Sequence, residues 1–251
     1  MLRFPNQGSN LENFIKIFEN ISFHLSKSTF NLDDMVSITV EHGLASSSGF
    51  IGKEAIKQST RDDRSRDSLF NQMKMYSELY RHNGWLKSSP YRKLDYIVTP
   101  FGLLLSKSSD KIHKFILSNL CISFPNESIE TKSKSYIRPF FTLFKIIKYI
   151  DYNISRDEII CSILSIKNDY GKENHDSLIE KIKKIRSEKN VELNIKKIME
   201  EDKLSRNTLN NYTRYPVMFL RDSGLFDKKK SSFFLNKEGK KYLEIVENSY
   251  D

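Results

Sequence analysis

Arginine and amide side chains crowd the start of two helical stretches, and these are the residue types that hydrogen-bond base edges. Residues 205–226 read SRNTLNNYTRYPVMFLRDSGLF and offer Arg206, Asn207, Asn210, Asn211 and Arg214 on the side away from Leu209, Val217 and Leu220. Residues 65–86 read SRDSLFNQMKMYSELYRHNGWL and offer Arg66, Asn71, Gln72 and Lys74, with Arg61 and Arg64 in the basic turn just before them. Arginine makes bidentate bonds to guanine, and asparagine or glutamine makes them to adenine, both in the major groove. Each stretch is followed by a basic tip: Lys87, Arg92 and Lys93 in one case, Lys228, Lys229 and Lys230 in the other. Such cations touch phosphates, which gives affinity and salt dependence but carries no base information.

The two stretches share a register. Arg66 and Arg206, Leu69 and Leu209, Asn71 and Asn211, Arg81 and Arg221, and Gly84 and Gly224 are all offset by 140 residues. The period is far too long for a solenoid, where repeats run to about 20–50 residues. The copies diverge where bases would be read: Asp67 against Asn207, Phe70 against Asn210, Gln72 against Tyr212. The tips also differ in length, because Gly102 and Gly239 are offset by 137. Two similar scaffolds with different outer faces fit a reader of an asymmetric site. Pro216 lies inside the second copy, removes a backbone donor, and kinks the helix or divides it. Tyr76, Tyr80, Tyr212 and Tyr215 lie mostly at core spacing, which disfavours base stacking.

A catalytic centre is not legible. A metal-dependent nuclease of the PD-(D/E)xK type needs a carboxylate and then Glu-x-Lys on a buried central strand, to hold Mg²⁺ and activate water. Glu-x-Lys occurs at Glu130–Lys132, Glu201–Lys203 and Glu238–Lys240, and Asp-x-Lys at Asp227–Lys229. All four fall in polar segments, helix ends or a tip. No phosphate-cradling glycine loop, nucleophile elbow or HExxH zinc motif occurs. No cofactor or metal is expected in this chain; Mg²⁺ is expected only for an associated nuclease domain.

Composition agrees with a polyanionic partner. The chain has 251 residues and a net charge of +9, although an AT-rich coding sequence would also inflate lysine. Aromatics at 12% are enough to build a core. Cys121 and Cys161 form no CxxC pair and are expected to be buried free thiols. MLRFPNQGSN lacks a signal core, and IRPFFTLFKIIKYI is too short and too charged to span a bilayer. A soluble, cytoplasmic protein without a membrane partner is the expectation.

Several elements must position these residues. Helical spacing covers 11–25 after Asn10, then a helix after Asn31, then 66–82 with Leu69, Phe70, Met73, Tyr76 and Tyr80 as its packed stripe. A short helix is expected near 52–58. Trp85–Lys87 and Tyr96–Thr99 read as strands around a tip, and Pro100 opens the next helix. Residues 110–123 extend the helical region. Pro139 opens an apolar helix, and Ser155 with Glu158 has capping-box spacing. The predicted fold class is mainly α with short β wings: two winged-helix, or helix-turn-helix, modules in tandem. The first spans 1–125, a linker 126–138, and the second 139–251.

From Thr99 to Phe226 the order of features resembles the recognition half of type IIS restriction and nicking endonucleases of the AlwI-like group. The resemblance is carried by Thr99 and Gly102, Pro139, Ser155 and Glu158, then Arg221, Gly224, Leu225 and Phe226. It covers roughly 65–245, with loose individual motifs whose order is the specific part. It implies a target-recognition domain for double-stranded DNA, reading a short non-palindromic site as a monomer. In that family a nuclease domain follows, so the resemblance implies a nuclease on the parent chain or on a partner subunit. The alternative reading of the residues is a winged-helix transcriptional regulator or plasmid replication initiator; a protein–protein module is a third.

Overall fold

A computed structural model of the chain describes residues 2–5, 10–44, 46–47, 50–51, 68–90, 95–121, 124–127, 134–166 and 172–249. Two compact units result, Gln7–Ser118 and Met1–Asn6 with Asn119–Asp251. Among the described residues helix dominates and the strands are short and antiparallel. No helix there is long and apolar enough to cross a membrane. The predicted helix near 52–58 lies outside the described residues.

In the unit Gln7–Ser118, α1 (Leu11–Leu25) starts where the Asn10 side chain accepts a bond from the Asn13 amide at 2.8 Å. α2 (Leu32–Glu41) starts at a reciprocal cap between Asn31 and Asp34. Each such cap satisfies amides that the first turn leaves open, and stabilises by about 1 kcal/mol. After the two-residue strands β1 (Ser46–Ser47) and β2 (Phe50–Ile51) come α3 (Ser68–His82), β3 (Leu86–Ser88), β4 (Tyr96–Val98), α4 (Pro100–Ser106) and α5 (Lys111–Cys121). The core is aromatic. Phe14, Phe18, Tyr76, Tyr80, Trp85 and Phe115 are all fully buried. Phe14 meets Tyr80 at a ring separation of 4.6 Å, and Tyr80 stacks on Trp85 at 5.5 Å. The Tyr80 hydroxyl donates to the Phe14 carbonyl at 2.8 Å, and burial holds its pKa well above the usual phenol value. Leu79 joins the packed stripe of α3, whereas Phe70 is only half-buried.

The other unit contains β5 (Phe124–Glu127), β6 (Lys134–Ile137), α6 (Pro139–Ile147), β7 (Asn153–Ser155), α7 (Arg156–Cys161), α8 (Lys172–Glu188), α9 (Val191–Glu201), α10 (Arg206–Tyr212), α11 (Arg214–Asp222), β8 (Phe226–Lys229), β9 (Ser232–Leu235) and α12 (Lys237–Glu247). The predicted linker at 126–138 needs correction. β5 and β6 pair from Phe124 with Ile137 to Glu127 with Lys134, because a backbone ladder is indifferent to side-chain polarity. The division between units falls earlier, at Ser118 and Asn119 inside α5. The N-terminal residues belong with the later unit. The Leu2 amide donates to the Leu164 carbonyl at 2.7 Å, and the Phe4 ring packs on Phe140 and Tyr215 at 5.9 and 5.8 Å.

Among the described residues both units share a core order, to which the earlier unit adds the β1–β2 pair and the later unit the β5–β6 pair and the helices α8 and α9. Each runs helix, strand, helix, then a later helix and two antiparallel strands, and the first strand pairs with the last. In the later unit the sheet order is β7-β9-β8. In the earlier unit the first strand is reduced to Phe30, which exchanges both backbone bonds with Tyr96 of β4 at 3.1 and 2.7 Å. The repeat also holds at atomic detail. Gly84 and Gly224 both adopt left-handed backbone, at φ 68° and 76°, where L side chains are strained. Thr99 bonds the Gly84 carbonyl at 2.6 Å and caps α4 at Gly102; Asn236 bonds the Gly224 carbonyl at 3.0 Å and caps α12 at Gly239. A Cβ on Gly102 would collide with the Trp85 carbonyl oxygen, and one on Gly239 with that of Leu225.

Candidate nucleic-acid interface

α10 and α11 are the predicted second reading helix, and Pro216 accounts for its division. A proline nitrogen has no hydrogen to offer the Tyr212 carbonyl, and its ring crowds that carbonyl. The helix accordingly stops at Tyr212 and restarts at Arg214, with Thr213 between them at φ −88° and ψ −5°. Ser205 caps the first half by accepting from the Thr208 amide at 3.1 Å. Leu209 is fully buried beneath α10, while Asn207 and Arg214 are exposed and Asn210 and Asn211 are half-buried. At 100° per residue along α10, 207 and 211 lie opposite Leu209 and 210 lies to one side, while Arg214 opens α11 beyond the break.

Arg206 is placed differently from its neighbours. Its Nη2 donates to Asp157 at 2.7 Å and lies 3.7 Å from Glu192. Its Nη1 is buried with no hydrogen-bond partner among the described residues. The guanidinium is therefore turned in toward the start of α7 rather than out with Asn207. Arg156, the preceding residue on α7, reaches the other end of α10. Its Nε donates to Thr213 Oγ1 at 2.7 Å and its Nη2 to the Asn210 carbonyl at 2.6 Å. Burial lowers the Arg156 pKa; Asp157 opposes the shift, and Arg214 and Arg206 add to it.

The start of α7 is itself fixed. Ser155 and Glu158 form the predicted capping box, with the Ser155 amide on Glu158 at 2.7 Å. Ile154 and Ser155 pair with Phe233 and Ser232 of β9. Arg186 of α8 binds Glu158 at 2.6 Å, the Ile150 carbonyl at 2.7 Å and the Asn153 carbonyl at 2.8 Å. Sequence reasoning identified the capping box but not Arg156, Asp157 or Arg186. Their partners are 28 to 57 residues away, and no local pattern marks such pairs.

In the earlier unit, Lys74 is exposed and Asn71 half-buried on α3. Gln72 lies at the edge of the packed face, and its amide donates to the Tyr76 hydroxyl at 3.2 Å. It is therefore less outward than its expected role implies, because position 72 falls only 60° from the buried Tyr76–Leu69 stripe at helical spacing. Arg61, Arg64, Arg66, Arg92 and Lys93 lie outside the described residues. Tyr76, Tyr80 and Tyr215 are fully buried, so their faces are closed to bases; Tyr212 is half-buried. In the later unit, Lys228, Lys229 and Lys230 are all exposed at the β8–β9 turn, where Lys230 adopts φ 55°. The Lys229 ammonium lies 5.4 Å over the Phe234 ring, which leaves the charge at the surface.

The carboxylate–lysine motifs are dispersed. Asp227–Lys229 is on the exposed part of β8, Glu201–Lys203 straddles the end of α9, and Glu238–Lys240 opens α12. Glu130–Lys132 lies outside the described residues. Among the described residues no three His, Cys, Asp or Glu side chains gather as a metal site. The expectation of two buried thiols is corrected. Cys161 is buried and its thiol is pushed up to about 11 by burial, but Cys121 at the end of α5 is exposed.

No protein-family model and no curated protein matches the sequence. Among solved structures, the chain is similar in fold to the BpuJ1 endonuclease binding domain, crystallised in complex with pyrene- and phenanthrene-modified DNA. The TM-score is 0.62 at 13% sequence identity, over 98% of this chain and 84% of that one.

Proposed function

We propose that the chain is a sequence-specific reader of double-stranded DNA, built from two winged-helix modules and serving as the target-recognition part of a type IIS restriction endonuclease. The observation that carries the reading is the repeated connectivity with divergent outer faces. Each unit has the order of a winged helix, with a late helix ahead of a two-strand wing. Each closes that wing with the same glycine turn and capped helix, at Gly84, Thr99 and Gly102 or at Gly224, Asn236 and Gly239.

In the later module Asn207, Asn210, Asn211 and Arg214 are the base readers, and Lys228, Lys229 and Lys230 hold phosphate. In the earlier module Asn71, Gln72 and Lys74 on α3, with Arg61, Arg64 and Arg66, take the first role, and Arg92 and Lys93 the second. The likeness in fold to an endonuclease binding domain crystallised with DNA supports the reading, as does the net charge of +9. One chain reads one non-palindromic site, and cleavage falls to a nuclease domain or subunit that supplies its own Mg²⁺.

A salt titration tests this. A chain that neutralises Z phosphates loses affinity with a slope of about −0.9Z in log K against log salt on duplex DNA. Binding to a mixed-sequence duplex should therefore weaken at least tenfold, roughly, between 50 and 200 mM salt. Binding that stays flat over that range excludes the reading.

A further inference from the structure

We infer that Arg156 and Asp157 are positioning residues that set the direction of α10, and that Arg206 serves this clamp and reads no base. The inference rests on the proposed reading of DNA by α10.

α10 is a helix of seven residues that carries Asn207, Asn210 and Asn211. In an unbroken recognition helix, direction would come from the helix itself. Here Pro216 removes the bond to the Tyr212 carbonyl, so the helical ladder is interrupted, and Thr213 alone, bonded to the Leu209 carbonyl and to the Val217 amide, joins α10 to α11, which is well buried at Tyr215, Met218, Phe219 and Leu220. Leu209, fully buried, anchors the middle of α10, and side-chain bonds hold its two ends. Two consecutive residues do so. Asp157 takes the Arg206 guanidinium at the N-terminal end, and Arg156 takes the Asn210 carbonyl and the Thr213 hydroxyl at the C-terminal end.

The C-terminal grips are about 6 Å (Asn210) and about 10 Å (Thr213) from Arg206 along the helix, at 1.5 Å per residue. That lever is long enough for a small change at either end to rotate the reading face. Their base is rigid, because α7 begins at a reciprocal cap, follows a strand paired with β9, and is tied to α8 by Arg186. The inward Nη1 of Arg206 is consistent with a structural role. An arginine used for a base would present its Nη1 and Nη2 fork outward.

The test uses the full chain and two duplex probes: the one enriched from a randomised library by the unmodified chain, and a scrambled duplex of the same composition. Arg156→Met removes both bonds at the C-terminal end. Asp157→Arg with Arg206→Asp exchanges the pair at the other end. Thermal unfolding establishes that each variant is folded. The clamp predicts that Arg156→Met lowers the ratio of selected to scrambled affinity by about tenfold or more, spread over every base position that α10 reads, while binding to the scrambled duplex is little changed. It also predicts that Arg206→Met lowers the ratio and that the exchanged pair restores it.

A folded Arg156→Met variant with an unchanged ratio overturns the clamp. So does a failure of the exchanged pair to restore the ratio when Arg206→Met has lost discrimination at a single base position, the mark of direct readout. If the unmodified chain enriches no sequence, the reading of DNA by α10 fails, and the clamp, which rests on it, falls with it.

Discussion

Replacing Arg186 by methionine should unfasten the base of the later module. The methionine keeps an aliphatic stem but removes the guanidinium. Glu158 then loses its bonds at 2.6 and 3.3 Å, and the Ile150 and Asn153 carbonyls lose theirs at 2.7 and 2.8 Å. The Glu158 side chain is 10% exposed and Arg186 23%, so the pair is largely buried. Breaking a buried pair from one side costs about 3–5 kcal/mol, because the remaining charge is left without its partner. The bond to Asp151, whose side chain is 85% exposed, adds next to nothing. The Ser155 amide continues to serve Glu158, which favours the lower end, about 3 kcal/mol. At about 2–4 °C per kcal/mol for a unit of this size, the melting temperature should fall by about 6–12 °C. Thermal unfolding followed by circular dichroism measures it. Adding Glu158→Gln should recover about 1 kcal/mol or more, since the amide keeps the capping bond and removes the stranded charge. A loss below about 0.5 kcal/mol, or a double variant less stable than Arg186→Met alone, would refute the reasoning.

Three further outcomes follow. Gly239→Ala should destabilise the later unit by about 2 kcal/mol: overpacking against the Leu225 carbonyl and Leu235 costs about 3, and better helix propensity returns about 1. A melting temperature equal to that of the parent would contradict it, and Gly102→Ala in the earlier unit is the matched control. One thiol per native chain should react with a maleimide at pH 8, because Cys121 is exposed, whereas Cys161 is buried with its thiol pushed up to about 11. The second should react only in denaturant, and two fast thiols in the native chain would contradict the packing around α7. Replacing Lys228, Lys229 and Lys230 together by alanine should reduce the slope of log K against log salt by about 2–3 without altering the preferred sequence; a changed preference would mean that the wing reads bases.

Local signals were legible in the sequence because their physics is local. Asn10, Pro100, Pro139 and the Ser155–Glu158 box each satisfy or remove amides within a turn of themselves, and the helices start there. Gly84 and Gly224 were readable as a shared position of the repeat, and both take the left-handed backbone where glycine is favoured. Pro216 was readable as a break but not as a place, and the break falls at Thr213, one turn earlier, where the missing bond is felt. What was not legible depends on distant partners. Phe4 docks on Phe140 and Tyr215, α5 carries the division between units, and Arg156 and Asp157 reach α10 across some fifty residues. Polarity misled at β5 and β6, where main-chain pairing sets the structure, and at Gln72, where the helix angle turns an amide onto Tyr76.

The most direct test of a two-module reader is selection of duplexes from a randomised library by the full chain, followed by the stoichiometry of the complex on the enriched sequence. The account predicts one short, non-palindromic motif bound by a single chain. A palindromic motif bound by two chains, or no enrichment at all, would contradict it.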